Sequence, residues 1–384
     1  MMMSKIVHFG KYYPPDAGGI ESVTSSLAQG AANAGHDVSV VCFKKSAADE
    51  TSVVNGVRIV RLPIGKMVAS QPLGLRYLLA CLKAARSADL VHLHVPNMLG
   101  ALGALLIGRK PRLLVHWHAD VINKGVLGRL LRPLEVALLK RADCIVATSQ
   151  VYAHASPLLS RFESKVTVVP IGVTDARKQA GAPSEEPVAE ATVPADLSRK
   201  LAGRKVILAV GRLVPYKGFD VLIEAAGRLC DDAVVVIVGG GPLQASLDAA
   251  IRAAGVADRV ILAGRLSDEA LHALFGAASL YCLPSVTRAE AFGVVLLEAM
   301  AYGLPIVATN IPGSGVPWVN KQGVSGINVP INDAGALAEA CNRILNSDQD
   351  RRRFSEGARQ RFMTEFTEEV SVKRMMAAYE RLVV

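Results

Sequence analysis

The chain has 384 residues, of which 51% are hydrophobic, and a formal net charge of +9. This length and apolar content imply a globular protein of two domains, each large enough to hold a core. Aromatic residues make up only 5% and form no stacking ladder, which disfavours nucleic acid as the partner of the positive charge and leaves phosphorylated substrates or an anionic membrane face.

No stretch reaches the roughly 18 to 20 uncharged apolar residues that a membrane span requires. The opening "MMMSKIVHFGKYYPP" has neither the apolar core nor the cleavage site of a signal peptide. A cytoplasmic location is expected. Cys42, Cys81, Cys144, Cys230, Cys282 and Cys341 are scattered without CxxC spacing and read as reduced core thiols.

Apolar strand-like runs alternate with helical patterns, which predicts doubly wound α/β architecture with parallel sheets. In the first half, strands are expected near Lys5 to Phe9, Val38 to Cys42, Leu90 to His94, Leu113 to His116, Cys144 to Thr148 and Val166 to Val169. After the first of them "YYPPDAGGIESV" runs into a helix, so Gly18 and Gly19 can bring backbone amides toward a phosphate or sugar; a plain glycine turn has the same letters. His92, His94, His116 and His118 end two strands as His-x-His pairs. That spacing puts both rings of a pair on one face, which suits zinc but more often serves hydrogen bonding. Next, "KGVLGRLLRPLEVALLKRAD" interleaves Lys124, Arg129, Arg132, Lys140 and Arg141 with Leu127, Leu130, Leu131, Leu134, Leu138 and Leu139. This is the pattern of a basic amphipathic helix suited to an anionic bilayer surface, and equally of a core-facing helix with snorkelling charges.

From Thr174 to Lys200 the chain is rich in Ala, Pro and Glu without periodicity, as expected of a flexible connection. Strands resume near Val206, Val234 to Val238, Val260 to Ala263, Leu280 to Leu283 and Pro305 to Thr309. "VGGGPLQASL" ends one of them but lacks the last glycine of a dinucleotide fingerprint, and "GRLVPYKG" misses the Walker pattern because Gly follows Lys217. Asp348 and Asp350 read as a helix start. The final "FTEEVSVKRMMAAYERLVV" has an amphipathic pattern with Val370, Met375, Met376, Tyr379 and Leu382 toward one side. The expected division is 1–173, a linker 174–200, and 201–366, with 367–384 packing back on the first domain and ligands held in a cleft between the two.

The chemistry concentrates in two stretches of the second half. "GRLVPYKG" offers the planar fork of Arg212 and the point charge of Lys217 after the strand "KVILAV". "EAFGVVLLE" carries Glu290 and Glu298 around the start of a helix after Gly293. That helix start points the amides of Phe292, Gly293 and Val294 at the same phosphates as the two cations, and Gly293 allows close approach. Glu298, about 7 to 8 Å further along the helix, is placed to accept from ribose hydroxyls. Glu290 faces the sugar side. A leaving diphosphate needs such stabilisation, so the pair of stretches describes a pocket for a nucleotide sugar, with the cations in the place of a divalent metal. Both stretches follow strands, at the carboxyl edge where open α/β sheets bind ligands.

On these residues, together with the glycine loop, His118 in "HWHAD" and "GGGPL", the chain resembles glycosyltransferase family 4, retaining enzymes of GT-B fold, over nearly its whole length. The resemblance implies two Rossmann-like doubly wound domains facing a central cleft, the first on the acceptor side and the second binding the donor. It implies that Arg212 and Lys217 hold the diphosphate, Glu298 the ribose, Glu290 and the amides after it the donor sugar and phosphate, and that His118 lies beside the transferred sugar. No metal or other cofactor is implied. Where many members carry Gly-Gly-x-Pro-Glu, this chain has "NIPGSGVPWVN". The "GVPWVN" and "WHAD" variants look closest to bacterial mannosyl- and rhamnosyltransferases of O-antigen and related polysaccharides, which implies a GDP-linked donor. A lipid-linked glycan acceptor, the cytosolic face of the inner membrane and other polysaccharide-assembly enzymes are the partners expected. Asp268 is then a candidate for the guanine edge, with helix N-capping as its alternative. A UDP-sugar donor or a soluble acceptor, a nucleotide-sugar epimerase, and a non-catalytic binder are the competing readings. An epimerase needs acid and base side chains that the sequence does not offer as a set.

Overall fold

Strands covered on both faces by helices read as unbroken apolar runs, and that is how this chain builds its two sheets. The computed structural model describes residues 3–16, 18–68, 71–120, 125–179 and 193–383, with the side chains of 125–127, 129, 130, 178 and 179 outside the description. It divides into two compact units, Met1–Gly172 with Glu368–Val384, and Val173–Thr367.

In the first unit β1 (Lys5–Phe9), β2 (Asp37–Lys44), β3 (Glu50–Val54), β4 (Val57–Pro63), β7 (Leu90–Val95), β8 (Arg112–Trp117), β9 (Cys144–Ala147) and β10 (Val166–Val168) form one sheet; β5 (Lys66–Val68) and β6 (Gln71–Leu73) make a separate hairpin. The order is β10-β9-β8-β7-β1-β2-β4-β3. All pairs are parallel except β3 with β4. That hairpin is absent from the expected strands, although its Asn55-Gly56 turn, with φ of 49° and 78°, has the letters such turns demand. The last helix, Glu368–Val383, buries Met375, Met376, Ala378 and Tyr379. It lies so close to the helix Gly19–Asn33 that a Cβ at Gly30 would stand 2.5 Å from Val372 Cγ1. Ser371 Oγ donates to the Pro170 carbonyl at 2.8 Å.

The basic helix spans Gly125–Arg141. Lys124 and the side chains of Leu127, Arg129 and Leu130 lie outside the described residues. Of the rest, Leu138 and Leu139 are in the core, and Arg141 is tied to Asp143 at 3.2 Å and to the Gly108 and Pro111 carbonyls, so its charge is structural. Arg132 and Lys140 are exposed. Among the described residues no helix is long and apolar enough to cross a membrane.

The second unit holds β11 (Lys205–Val210), β12 (Ala233–Val238), β13 (Val260–Gly264), β14 (Leu280–Leu283), β15 (Ile306–Thr309) and β16 (Gly326–Val329) in one parallel sheet, ordered β13-β12-β11-β14-β15-β16. Its core runs from Ile207 and Leu222 through Val235 to Leu337, Ile344 and Phe354. The stretch 174–200 is not an unstructured connection throughout. Helices occupy Ala176–Gln179 and Ala195–Leu201, and Arg359 grips Asp175 through both guanidinium nitrogens at 3.0 and 2.6 Å. A bidentate pair of this kind fixes the chain in orientation as well as position. The remainder, 180–192, lies outside the described residues.

Candidate active site

Three loops at the carboxyl edge of the second sheet carry the predicted groups. After β11 the chain makes a single turn, Pro215–Lys217, closed by Gly218 in the left-handed region at φ 64°. Here glycine is required twice over, since a Cβ would also lie 2.2 Å from the Pro284 carbonyl oxygen. The turn sends Lys217 back over Gly211. Lys217 Nζ thereby reaches Glu290 Oε2 at 2.6 Å, with both side chains buried. The glycines of "VGGGP" serve this arrangement: Cβ atoms at Gly239 and Gly241 would stand 2.0 Å from the Gly211 carbonyl and 2.5 Å from that of Leu213. They let the loop after β12 pack directly on the loop that carries Arg212 and Lys217.

Glu290 lies in the loop after β14 and is positioned by two serines that sequence reasoning did not single out. Ser285 Oγ donates to the same carboxylate oxygen at 3.1 Å, and Ser314 Oγ donates to the Glu290 carbonyl. The variant stretch "IPGSGVPW" thus supports Glu290 from behind: Gly315 N donates to Ala291 O at 2.8 Å, and Arg288 Nε to Gly313 O at 3.0 Å. Small polar residues in loops carry no periodic signal, which is why they were missed.

Gly293 adopts φ 81° and opens the helix Val294–Ala301. The amides of Phe292, Gly293 and Val294 have no acceptor among the described residues, leaving them as free donors at a helix start. Phe292 itself is buried against Trp318 and Phe366. One turn on, the half-buried Glu298 carboxyl has its pKa pushed up to about 7 by burial, with Asp268 adding to the rise and Lys217 opposing it. Asp268 therefore lies in the same electrostatic neighbourhood. It is not a helix cap: Ser267 caps the helix Asp268–Ala277 by accepting from Ala270 N at 3.2 Å. Arg212 is exposed, and its side chain forms no ion pair among the described residues. Burial raises the Tyr216 phenol, Lys217 and Arg212 oppose the rise, and Glu290 adds to it, so both cations act on one ring. Arg265, after β13, is a further cation outside the expected set; its Nε would lie 3.0 Å from a Cβ at Gly240.

In the first unit, Gly18 and Gly19 are exposed at the start of the helix Gly19–Asn33, which has no side-chain cap among the described residues. The Glu21 carboxylate folds back over Gly18, 2.0 Å from where a Cβ would be. His118 is buried beside His8, His92, His94 and His116. Its Nε2 lies 3.0 Å from His94 Nδ1, and burial pushes its pKa down to about 3. The remote Asp348 and Asp350 begin a helix capped by Ser347, as their spacing predicts.

Comparison with known proteins identifies the family. Residues 18–172 match the family model described as Glycosyl transferase 4-like domain, and 197–361 that of Glycosyl transferases group 1. The O-antigen chain mannosyltransferase C of Escherichia coli is 31% identical over 379 residues, 98% of each chain. The D-rhamnosyltransferase WbpZ of Pseudomonas aeruginosa is 31% identical over 364 residues, 94% of this chain and 92% of that one. Among solved structures, Anabaena HepE in complex with UDP and glucose superposes with a TM-score of 0.76 at 18% identity, over 98% of this chain and 100% of that one. The structural likeness establishes the GT-B fold with its two Rossmann-like domains. With two relatives matched across almost their full length, the chain belongs to glycosyltransferase family 4.

Proposed function

We propose that this glycosyltransferase moves mannose or rhamnose from a GDP-sugar to a polyprenyl-diphosphate-linked glycan in cell-surface polysaccharide synthesis, at the cytosolic face of the inner membrane and without a metal. The observation that carries the reading is the 2.6 Å contact of Lys217 Nζ with Glu290 Oε2 beside a helix start whose first amides have no acceptor among the described residues. An ammonium has three N–H donors. One is committed to Glu290, which leaves two for phosphate oxygens. Arg212, free of ion pairing among the described residues, supplies the second cation. Glu298 and the nearby Asp268 offer acceptors for ribose hydroxyls and for a base edge bearing N–H donors, as guanine does.

In the reaction so read, the bond from the anomeric carbon to the β-phosphate oxygen breaks while the acceptor hydroxyl oxygen bonds to that carbon on the same face. The acceptor's proton passes to the departing phosphate, and no enzymic nucleophile is used. Arg212, Lys217 and the amides of Phe292, Gly293 and Val294 stabilise the charge that accumulates on the diphosphate. Glu290 orients Lys217 and accepts from the donor sugar, and His118 contacts the sugar being transferred. Gly18 and Gly19 offer backbone amides to substrate.

The test is a panel of GDP- and UDP-sugars incubated with the purified protein and a polyprenyl-diphosphate glycan in the presence of a chelator. Transfer from a GDP-hexose with retention at the anomeric carbon is expected. Transfer from UDP-sugars alone, inversion, or activity restored only by metal overturns the corresponding part of the reading.

A further inference from the structure

Five histidines and one tyrosine of the first unit form a continuous buried chain. His8 on β1 lies opposite His92 on β7, and His94 opposite His116 on β8. His116 Nδ1 meets His92 Nε2 at 3.3 Å, and His92 Nδ1 meets the Tyr379 hydroxyl at 2.6 Å. Tyr379 reaches His8 Nε2 at 3.5 Å, the longest link. His8 Nδ1 meets His94 Nε2 at 3.1 Å, and His94 Nδ1 meets His118 Nε2 at 3.0 Å. Only the two ends are unpaired among the described residues, at His116 Nε2 and His118 Nδ1. Burial pushes His8 and His118 down to about 3 and lowers His92, His94 and His116 as well, so all five rings are neutral at pH 7.

A neutral imidazole has one N–H and one lone pair, and a hydroxyl has one O–H and free lone pairs. The Tyr379 oxygen could accept from both His92 and His8, but its own O–H would then be buried without an acceptor among the described residues. With that O–H used, every link forms only when successive groups donate in the same direction, which leaves two arrangements. In one, His118 carries its proton on Nδ1 and His116 has a bare Nε2. In the other, both are reversed. The nitrogens could instead be thought to gather around a metal, since His8, His92 and His94, and also His94, His116 and His118, lie near enough to one another. Their geometry argues otherwise. The ring nitrogens meet pairwise in hydrogen-bond alignment, whereas a metal needs lone pairs converging on one point and an oxygen acceptor behind each ring. Here, apart from the two ends and the Tyr379 links, the second nitrogen of each ring is held by another imidazole.

We propose that His116, His92, Tyr379, His8, His94 and His118 act as a tautomer relay, in which the Tyr379 hydroxyl couples the two strings of rings and sets whether His118 Nδ1 offers a proton or a lone pair. Tyr379 is thus a positioning residue acting through His118. Its value to catalysis rests on the reading of His118 as a sugar contact: a sugar hydroxyl that donates to Nδ1 selects one arrangement of the whole chain, and one that accepts selects the other. The relay itself does not depend on that reading.

Imidazole nitrogen NMR on the full-length protein labelled with ¹⁵N-histidine tests it, with rings assigned through single His→Gln variants. In the wild-type protein His116 and His118 are expected as the same neutral tautomer, both Nδ1–H or both Nε2–H; opposite tautomers would mean that the Tyr379 oxygen accepts from both His92 and His8, and would overturn the relay. Tyr379→Phe removes one oxygen and is expected to uncouple the strings, so that His118 loses its single-tautomer signature and shows averaged shifts. Unchanged His118 shifts in Tyr379→Phe, a protonated ring at pH 7, or a one-to-one response of the ring nitrogens to added zinc would overturn the relay. Turnover assayed on the same variant separates the two claims. A Tyr379→Phe protein with altered His118 tautomer but wild-type kcat and KM leaves the relay standing and removes His118 from the sugar site.

Discussion

Lys217 and Glu290, 73 residues apart in sequence, form a buried ion pair with a 2.6 Å contact that Ser285 Oγ extends at 3.1 Å. Removing either partner leaves a charge in a partly desolvated site, at a cost of up to about 3 kcal/mol, whereas removing both leaves none. Lys217→Met and Glu290→Gln are therefore expected to destabilise non-additively, with a coupling energy of about 1–3 kcal/mol in denaturant melts of the singles and the double. Strict additivity would show that the pair does not hold the loops together.

Glu298 gives the site a pH dependence. Its folded-state value of about 7 stands above the ordinary 4.5, so its contribution to folding stability is complete below the unfolded value and is lost as pH rises through about 7. Nucleotide binding runs the other way, because a carboxylate accepting from ribose hydroxyls must shed that proton. Affinity for GDP is expected to rise between about pH 6 and pH 8 with proton release, and Glu298→Gln is expected to bind more weakly with a flat profile. Calorimetry in buffers of different ionisation enthalpy reads both effects; a flat wild-type profile would place the titrating group elsewhere.

Two glycines are predicted to resist substitution to different degrees. At Gly293 an alanine takes on φ 81° and a Cβ 3.0 Å from Leu296 Cδ1, flexible neighbours that can give way. Gly293→Ala should cost about 1–2 kcal/mol while disturbing the free amides. At Gly218, φ 64° combines with a Cβ 2.2 Å from a backbone oxygen, so Gly218→Ala should lower Tm further. Equal melting temperatures for the two variants would contradict this ranking.

Much of this organisation is legible in the chain because parallel strands, buried on both faces, leave continuous apolar runs such as Val234–Val238. The charged groups stand out because they follow those runs. What escapes is what no local pattern encodes. β16 (Gly326–Val329) is four residues long, between a polar bend and a polar loop. Ser285 and Ser314 act on Glu290 through loops. His8 and Tyr379 join the histidine pairs from 84 and 287 residues away, measured from His92, so spacing along the sequence has nothing to say about them. The hairpin at Asn55-Gly56 differs: its turn letters were present and suffice.

The basic helix is predicted to add reversible membrane affinity. Each Lys or Arg near an anionic surface contributes about 1 kcal/mol. The triple substitution Lys124→Glu, Arg129→Glu and Arg132→Glu should thus reduce sedimentation with phosphatidylglycerol vesicles more than tenfold at low salt. Sedimentation equal to wild type would show that the membrane contact lies elsewhere or does not exist.

The role of the two cations is tested most directly by the turnover numbers of Arg212→Ala and Lys217→Ala with a GDP-hexose donor. Arg212 has no ion pair to lose among the described residues, so its variant should melt within about 0.5 kcal/mol of wild type yet transfer sugar about 10²- to 10³-fold more slowly. Lys217→Ala should lose at least as much rate. Wild-type kcat in either variant would mean that these cations do not carry the departing diphosphate.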